Sequence, residues 1–481
     1  MTKALWTSEE IALATGGDVS APFMVMSGVS IDTRSLEPGD LFVALQDQRD
    51  GHDFAGAAYA AGAAGALVSR DVDGGAFVKV GDTLEALEAL GISARMRSGA
   101  VRTAVTGSVG KTSVKDMLAR IYRGAGPAHW SVKSFNNHWG VPLSLARMPE
   151  KTERAVFEIG MSTPGEIAPR SRMVRPHIGI VTRVAGAHLE GLGSLDAVAE
   201  EKSAIFAGLE AGGTFILCAD DPYLDFLSDR ARTYCPTGNL ETFGRAAGAT
   251  ARITDYETDG ERSRITVEIV GRPVTVEIQA VGEHWASNIA VAMLAASRTG
   301  LSLSDCADAL AGYSPPPGRG NTKRLTLPNG GSVLLIDDAY NANPASMRAA
   351  LGSLDGRVQG RRIVALGEML EIGETSDAEH AGLAEIVLQT DAAMVFLAGD
   401  KMTHLSEALP SALPQAWATD ASELWNKLRD TLQDGDVVLI KGSNASGMGM
   451  LADRLRQWSE ETVGLMIGDA AESGAGVGDA V

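Results

Sequence analysis

VRTAVTGSVGKTSVKDMLARIY, Val101 to Tyr122, is the stretch that decides the fold class. The apolar run VRTAVT reads as a strand, and after a glycine-rich turn Val114, Met117, Leu118, Ile121 and Tyr122 recur at the spacing of one helical face. The turn therefore caps a helix amino terminus, where free backbone N–H groups and the helix dipole favour an anion. Gly107 and Gly110 let the backbone approach phosphate oxygens, Lys111 supplies a point charge, and Thr112 can offer its hydroxyl to Mg²⁺. Ser108, Val109 and Ser113 complete the loop. The spacing is shorter than the general GxxxxGK[ST] pattern, because Val105 stands where the first glycine would be. A bare GxxGKT can be an ordinary strand-to-helix turn; in this setting it predicts a nucleotide site.

Outward from this loop the alternation of strand-like and helical patterns continues through AVFEIG, HIGIVTRV and GTFILC, which predicts a doubly wound, mostly parallel sheet over residues 99–313. Residues 1–98 read as a smaller α/β domain, with LFVAL and GALV among Ala- and Gly-rich segments. SPPPGRG, residues 314–320, reads as a hinge. SVLLIDD, RRIVALG, AAMVFLAG and DVVLIKG beyond it predict a third, Rossmann-like α/β domain over 314–463, entered by a hairpin around Asn329 and Gly330. Residues 464–481 offer little to bury and read as a disordered tail.

Polar residues repeatedly follow the ends of apolar runs: the GSVGKTS loop, His188, Asp220 and Asp221, Asp337, Glu368 and Lys441. The carboxyl ends of strands form the ligand crevice of open α/β sheets. Glu158 lies inside AVFEIGM, where a buried carboxylate needs a cation or hydrogen-bond donors. Lys202 falls on the same helical face as Val198, Ile205 and Leu209, an apolar stripe from which a lysine ordinarily reaches back to water. His188 alone could equally be a satisfied loop side chain.

Composition narrows the function classes. Lys and Arg number 42 against 61 Asp and Glu, a net charge of -19 that argues against a nucleic-acid partner or a broad membrane surface. Cys218, Cys235 and Cys306 are scattered without CxxC spacing, so neither a disulfide framework nor a zinc site is expected. With no signal peptide and no apolar run of about 18 residues, membrane insertion is not expected and a cytoplasmic protein is.

Taken together, TGSVGKTSVKD, KSFNNHWGVPLSL, FEIGMSTPGEI, GAHLEGLGS, EEKSAIF, GEHWASN, IDDAYNANPASM, LGEMLEIGE and IKGSNASGMG resemble the Mur ligase family over about residues 1–463. DDAYNANP with LGEMLEIGE resembles the members that add D-alanyl-D-alanine, and the DNPR motif of the sister enzymes that add the preceding diamino acid is absent. The resemblance implies an ATP-dependent ligase that joins D-alanyl-D-alanine to UDP-N-acetylmuramoyl-tripeptide, working as a monomer on a nucleotide site closed between domains. It implies that Lys111 and Thr112 hold ATP phosphates and a first Mg²⁺, and that Glu158, His188 and a carbamylated Lys202 serve a second. Asn288, Tyr340 and Asn341 would contact adenine and ribose, Arg319 the phosphates, and Asp337 belongs to the same nucleotide-side motif. Ser30, Asp32, Thr33, Arg34, His52 and Asp53 match the region that holds the UDP-sugar, with Asn136 and Asn137 near its pyrophosphate end. Lys441, Ser443 and Asn444 fall where the dipeptide or acyl phosphate would lie.

Three positions depart from the family pattern: Trp285 replaces the asparagine after the histidine of GEHW, Ala204 a glutamate, and Cys218 an asparagine. The competing readings are a folylpolyglutamate synthetase relative, which the first domain and DDAYNANP argue against, and a P-loop ATPase driving a partner. A non-catalytic nucleotide-binding protein fits the full set of metal-site residues less well.

Overall fold

The computed structural model describes residues 4–132, 134–186, 189–354 and 359–474, the side chains of 189 and 467–474 excepted. The fold is α/β, and the chain forms two compact units. The first comprises residues 1–184, 199–243 and 291–309; the second comprises 185–198, 244–290 and 310–481.

In the first unit, strands Ala128–Trp130, Arg154–Glu158, Val101–Thr106, Ile178–Val181, Thr214–Cys218 and Asn239–Gly244 lie side by side in that order, all parallel. The apolar runs of the four central strands are buried on both faces, as a sheet covered by helices requires. From Val101–Thr106 the chain moves first to one side and then to the other, so Arg154–Glu158 and Ile178–Val181 flank it. That makes the end of Val101–Thr106 a switch point, where a crevice opens beyond the carboxyl ends. Helix Lys111–Ala125 follows at once, with Val114, Met117, Leu118, Ile121 and Tyr122 each at most 1% exposed. At about 1.5–3 kcal/mol per buried side chain, that face anchors the helix and leaves its amino terminus to present the loop.

A smaller sheet runs in the order Asp18–Val19, Phe77–Lys79, Gly65–Val68, Leu41–Val43, Val29–Ser30, with only the first pair antiparallel. Its helix Thr83–Arg97 packs on helix Gly140–Ala146, and Gly91 is needed there because a Cβ would lie 3.0 Å from the Pro142 carbonyl oxygen. Trp6 Nε1 donates to the Ala146 carbonyl at 2.8 Å while the Arg97 guanidinium stacks 3.6 Å from the Trp6 ring. The first ninety residues are thus built onto the parallel sheet's helix layer.

In the second unit, strands Asn321–Thr326, Ser332–Asp338, Val437–Lys441, Arg362–Gly367, Met394–Ala398 and Gln415–Ala418 form a sheet in that order. The first pair is the antiparallel hairpin expected around Asn329 and Gly330; the others are parallel. An antiparallel meander, Ala251–Thr258, Ser263–Ile269 and Arg272–Ile278, precedes helix His284–Ser297.

Two local expectations change. The segment expected as a hinge is fastened at its far end: Gly318 N–H donates to Asp337 Oδ2 at 2.7 Å, and Gly320 N–H to the Asp337 carbonyl at 2.7 Å. The stretch expected to be a disordered tail from 464 is helical as far as Gly474, the end of helix Met448–Gly474. Ala470, Ala471 and Glu472 are strong helix formers, and an established helix extends more easily than one begins. Residues 475–481 lie outside the described residues.

Candidate active site

The phosphate loop is shaped by two glycines. Gly107 has φ +146° and a Cβ there would sit 1.9 Å from Thr182 Oγ1, so no other residue fits; Gly110 caps the helix at φ +82° without any side-chain cap. The first N–H groups of Lys111–Ala125 consequently point outward from an uncapped end. Neighbouring backbone fixes the loop's underside: Ser108 N–H donates to the Arg183 carbonyl at 2.8 Å and Thr182 Oγ1 to the Val109 carbonyl at 2.5 Å. Lys111 Nζ donates to the Gly107 carbonyl at 2.7 Å, which holds the ammonium over the loop. Val105, the residue in place of a first glycine, is a fully buried strand residue aligned with Glu158 and Ile180. The shorter motif reflects a strand that continues one step further before the turn.

That same register brings Glu158 to the loop. Thr112 Oγ1 donates to Glu158 Oε2 at 2.8 Å and Asn136 Nδ2 to Oε1 at 2.7 Å, with Glu158 itself 1% exposed. Gly160 makes room, since a Cβ there would meet the Asn136 amide at 2.7 Å. Asn136, expected near the sugar-nucleotide's pyrophosphate and muramoyl end, orients this carboxylate. Asn137 Oδ1 accepts from Gly140 N–H at 2.9 Å and fixes the next helix start.

Lys202, in helix Leu195–Ser203, is 1% exposed, and its ammonium has no hydrogen bond or ion pair among the described residues. Burial, reinforced by repulsion from Lys111 and opposed by Glu201, holds its pKa well below the ordinary lysine range. Burial biases such an amine toward its neutral, nucleophilic form. Glu201, beside it in sequence, turns to the backbone, accepting from Gly165 N–H and Ile167 N–H at 2.7 Å each. His188 lies outside the described residues.

For a hard divalent cation the fit is chemical: a hydroxyl, a carboxylate with half its lone pairs used, and an orphaned buried amine that becomes an oxygen donor on adding CO₂. No group of three or more His, Cys, Asp or Glu placed to hold a metal ion occurs among the described residues.

In the smaller sheet, Arg34 grips Asp32 with Nη2 2.6 Å from Oδ2, and Ser30 Oγ donates to the Asp32 carbonyl at 3.0 Å. Thr33 lies within this turn, half-buried. His52 is buried and its ring is fully used: Nε2 accepts from Ser69 N–H at 2.8 Å, so Nδ1 carries the proton toward Asp50 Oδ1, 2.5 Å away. Hydrogen bonds from His52 backbone and ring hold the Asp50 carboxyl down at about 2. His52 is thereby a brace for the loop. Asp53 stays at the surface, paired with Arg70 at 3.0 Å.

In the second unit, Asp337 is buried between Gly318 N–H, Ala339 N–H at 3.2 Å and the Arg456 guanidinium. Lys441 Nζ, 1% exposed, donates to Asp338 Oδ2 at 2.6 Å and to the Asn341 carbonyl at 3.0 Å. Ser443 Oγ accepts from Leu370 N–H at 2.9 Å. These residues build the loops. Asn343, not singled out in the sequence, caps helix Pro344–Gly352 through a reciprocal pair with Ser346. Facing outward are Asn341, Asn444 and Tyr340, whose ring lies 3.8 Å beneath the Arg319 guanidinium. Asn288 is 7% exposed and its amide has no hydrogen bond among the described residues. Trp285 is 1% exposed with its Nε1 unpartnered among the described residues.

Comparison with known proteins identifies the family. Residues 105–296 match the Mur ligase middle domain and 323–444 the Mur ligase, glutamate ligase domain. A Rickettsia prowazekii protein named UDP-N-acetylmuramoyl-tripeptide--D-alanyl-D-alanine ligase is 30% identical over 93% of this chain and 99% of its own. This chain is a Mur ligase. A Bacillus subtilis protein of the same name is 33% identical over 87% of this chain and 91% of its own. Among solved structures, MurF from Acinetobacter baumannii superposes with a TM-score of 0.82 at 27% identity, covering 94% and 99% of the two chains. MurF from Thermotoga maritima, solved in complex with ADP, gives 0.77 at 25% identity, covering 90% and 98%. In this Mur ligase the phosphate loop, Glu158 and Lys202 all fall in the span matched by the middle domain.

Proposed function

We propose that this Mur ligase joins D-alanyl-D-alanine to the terminal carboxylate of UDP-N-acetylmuramoyl-tripeptide, giving the pentapeptide, ADP and phosphate for peptidoglycan synthesis. It does so as a cytoplasmic monomer, with UDP-sugar recognition in residues 1–98, ATP in 99–313 and the dipeptide in 314–463. The observation that carries the chemistry is an uncapped phosphate loop with Glu158 held at its first helical turn, and a buried Lys202 close enough to Lys111 to be repelled by its charge. The relatives' shared name, over nearly their full length, supplies the substrates.

The physical problem is the approach of two anions. A tripeptide carboxylate oxygen attacks the γ-phosphorus of ATP, ADP departs, and an acyl phosphate remains. The dipeptide amine then attacks the acyl carbon, loses a proton and expels phosphate. Lys111 and the outward N–H groups of the loop offset charge on the phosphates and fix them in line. Mg²⁺, held by Thr112, Glu158, His188 and Lys202 as its carbamate, would supply further charge neutralisation. Burial of Lys202 favours that modification, because only the neutral amine adds CO₂. Asn288, Arg319, Tyr340 and Asn341 serve the adenosine side. Ser30, Asp32, Thr33 and Arg34, with His52 and Asp53, serve the uridine diphosphate sugar.

The test is a coupled assay with purified chain, ATP, Mg²⁺, D-alanyl-D-alanine and the UDP-muramoyl tripeptide ending in either meso-diaminopimelate or lysine. ADP release should require both peptide substrates and match the formation of a lengthened product. Phosphate release stimulated only by a macromolecule would replace this reading with a motor or switch ATPase.

A further inference from the structure

The end of the six-stranded sheet holds a carboxylate that the fold positions with care and leaves open. Glu368 directly follows strand Arg362–Gly367. Its N–H donates to the Ala398 carbonyl and its own carbonyl accepts from Ser443 N–H, both at 3.1 Å. The next two residues are fastened as well: Met369 N–H donates to the buried His380 Nε2 and Leu370 N–H to Ser443 Oγ, each at 2.9 Å. His380 Nδ1 in turn faces the Ser376 carbonyl at 2.7 Å, so the ring is locked as a Nε2 acceptor.

The side chain is treated differently. Its Oε2 accepts one long bond, 3.4 Å from Lys401 N–H, and Oε1 has no donor among the described residues. The nearby Lys401 ammonium goes to Asp377 instead, at 2.7 Å. Gly399, at φ +104°, keeps the space clear: a Cβ there would lie 2.7 Å from Glu368 Cδ. A half-buried carboxylate with spare acceptor capacity on so rigid a backbone is suited to a cation that arrives from outside. At the same sheet edge Lys441 and Ser443 are already committed to internal bonds.

We propose that Glu368 receives the ammonium group of the incoming dipeptide and sets the position from which its nitrogen is delivered. This rests on the ligase reading above, whose second substrate is a short peptide with a free amino terminus. Asn444, exposed two positions after Gly442, is free to meet the other end of such a ligand.

The experiment compares wild type, Glu368→Gln and Glu368→Asp in steady-state kinetics, with D-alanyl-D-alanine as substrate and N-propionyl-D-alanine, the same shape without the amine, as inhibitor. Loss of a charge-assisted pair should raise the dipeptide KM of Glu368→Gln by roughly tenfold or more. Glu368→Asp should fall between it and wild type. The KM values for ATP and the sugar nucleotide, and the inhibition constant of the amine-free analogue, should stay within about twofold of wild type, since none of them involves the ammonium. A dipeptide KM within about twofold of wild type in Glu368→Gln, or equal weakening of dipeptide and analogue, overturns the assignment. Wild type that shows no dipeptide-dependent ADP release fails earlier, and overturns the ligase reading together with this one.

Discussion

Motif residues gather at the carboxyl ends of parallel strands in both units, but they are used in opposite ways. In the first unit, Thr112 and Asn136 orient Glu158, Lys111 is held over an uncapped helix end, and Lys202 is buried with no partner among the described residues. In the second, Asp337, Lys441 and Ser443 are tied into the loops that carry them, while the side chains of Asn288, Asn341 and Glu368 keep capacity to spare among the described residues. The difference teaches that a conspicuous polar residue at a strand end is either chemistry or the scaffold that presents it. Hydrogen-bond capacity distinguishes the two, because a charge whose donors or acceptors are already met has little left for a ligand.

Mutations can break this contrast. The largest effect on turnover should come from Lys111→Ala: a loss of about a thousandfold or more in ATP-dependent phosphate release, with an unchanged melting temperature. Near-normal turnover would remove the phosphate-loop assignment. Lys202→Ala should lose about a hundredfold or more, and short-chain carboxylates should restore part of it by replacing the carbamate oxygens. Labelled CO₂ offers a second readout, with a carbamate carbon resonance in wild type and none in the variant.

In the second unit the main effect should move from rate to stability. Asp337→Ala removes the carboxylate that holds Gly318 N–H, Ala339 N–H and the Arg456 guanidinium, which keeps Asp453 at 2.6 Å, so chemical denaturation should show a loss of about 1–3 kcal/mol. An intact fold with a large change only in ATP KM would reverse that role. The smallest effect concerns His380, whose pKa burial lowers from 6.5. The unfolded chain then binds a proton that the folded state resists, so stability is lost as pH falls below about 6.5, by at most about 1.4 kcal/mol per pH unit. His380→Gln should flatten that part of the melting-temperature profile; an unchanged slope would exclude His380 as its source.

Much of the first unit was legible in the sequence. The loop and helix follow from glycine positions and a 3.6-residue period, and Glu158 and Lys202 stood out as charges on apolar backgrounds. His52 was not legible as a brace, because its two partners, Asp50 and Ser69, lie on either side of a helix. Asn136 and Asn137 are adjacent in sequence and divided in role, a split set by the Glu158 register and by a helix start. Glu368 was noted only for its place after a strand. Gly399, which clears its pocket, is 31 residues away, and no local pattern links them.

The amino-acid order by itself determined the α/β class, the strand-loop-helix phosphate site and the residues with unusual charge placement, because backbone preference and hydrophobic period are local. Only the tertiary structure decided which of those charges remain available. Availability depends on donors and acceptors supplied by distant strands, and on burial that disfavours the charge of one lysine while it locks another against an aspartate.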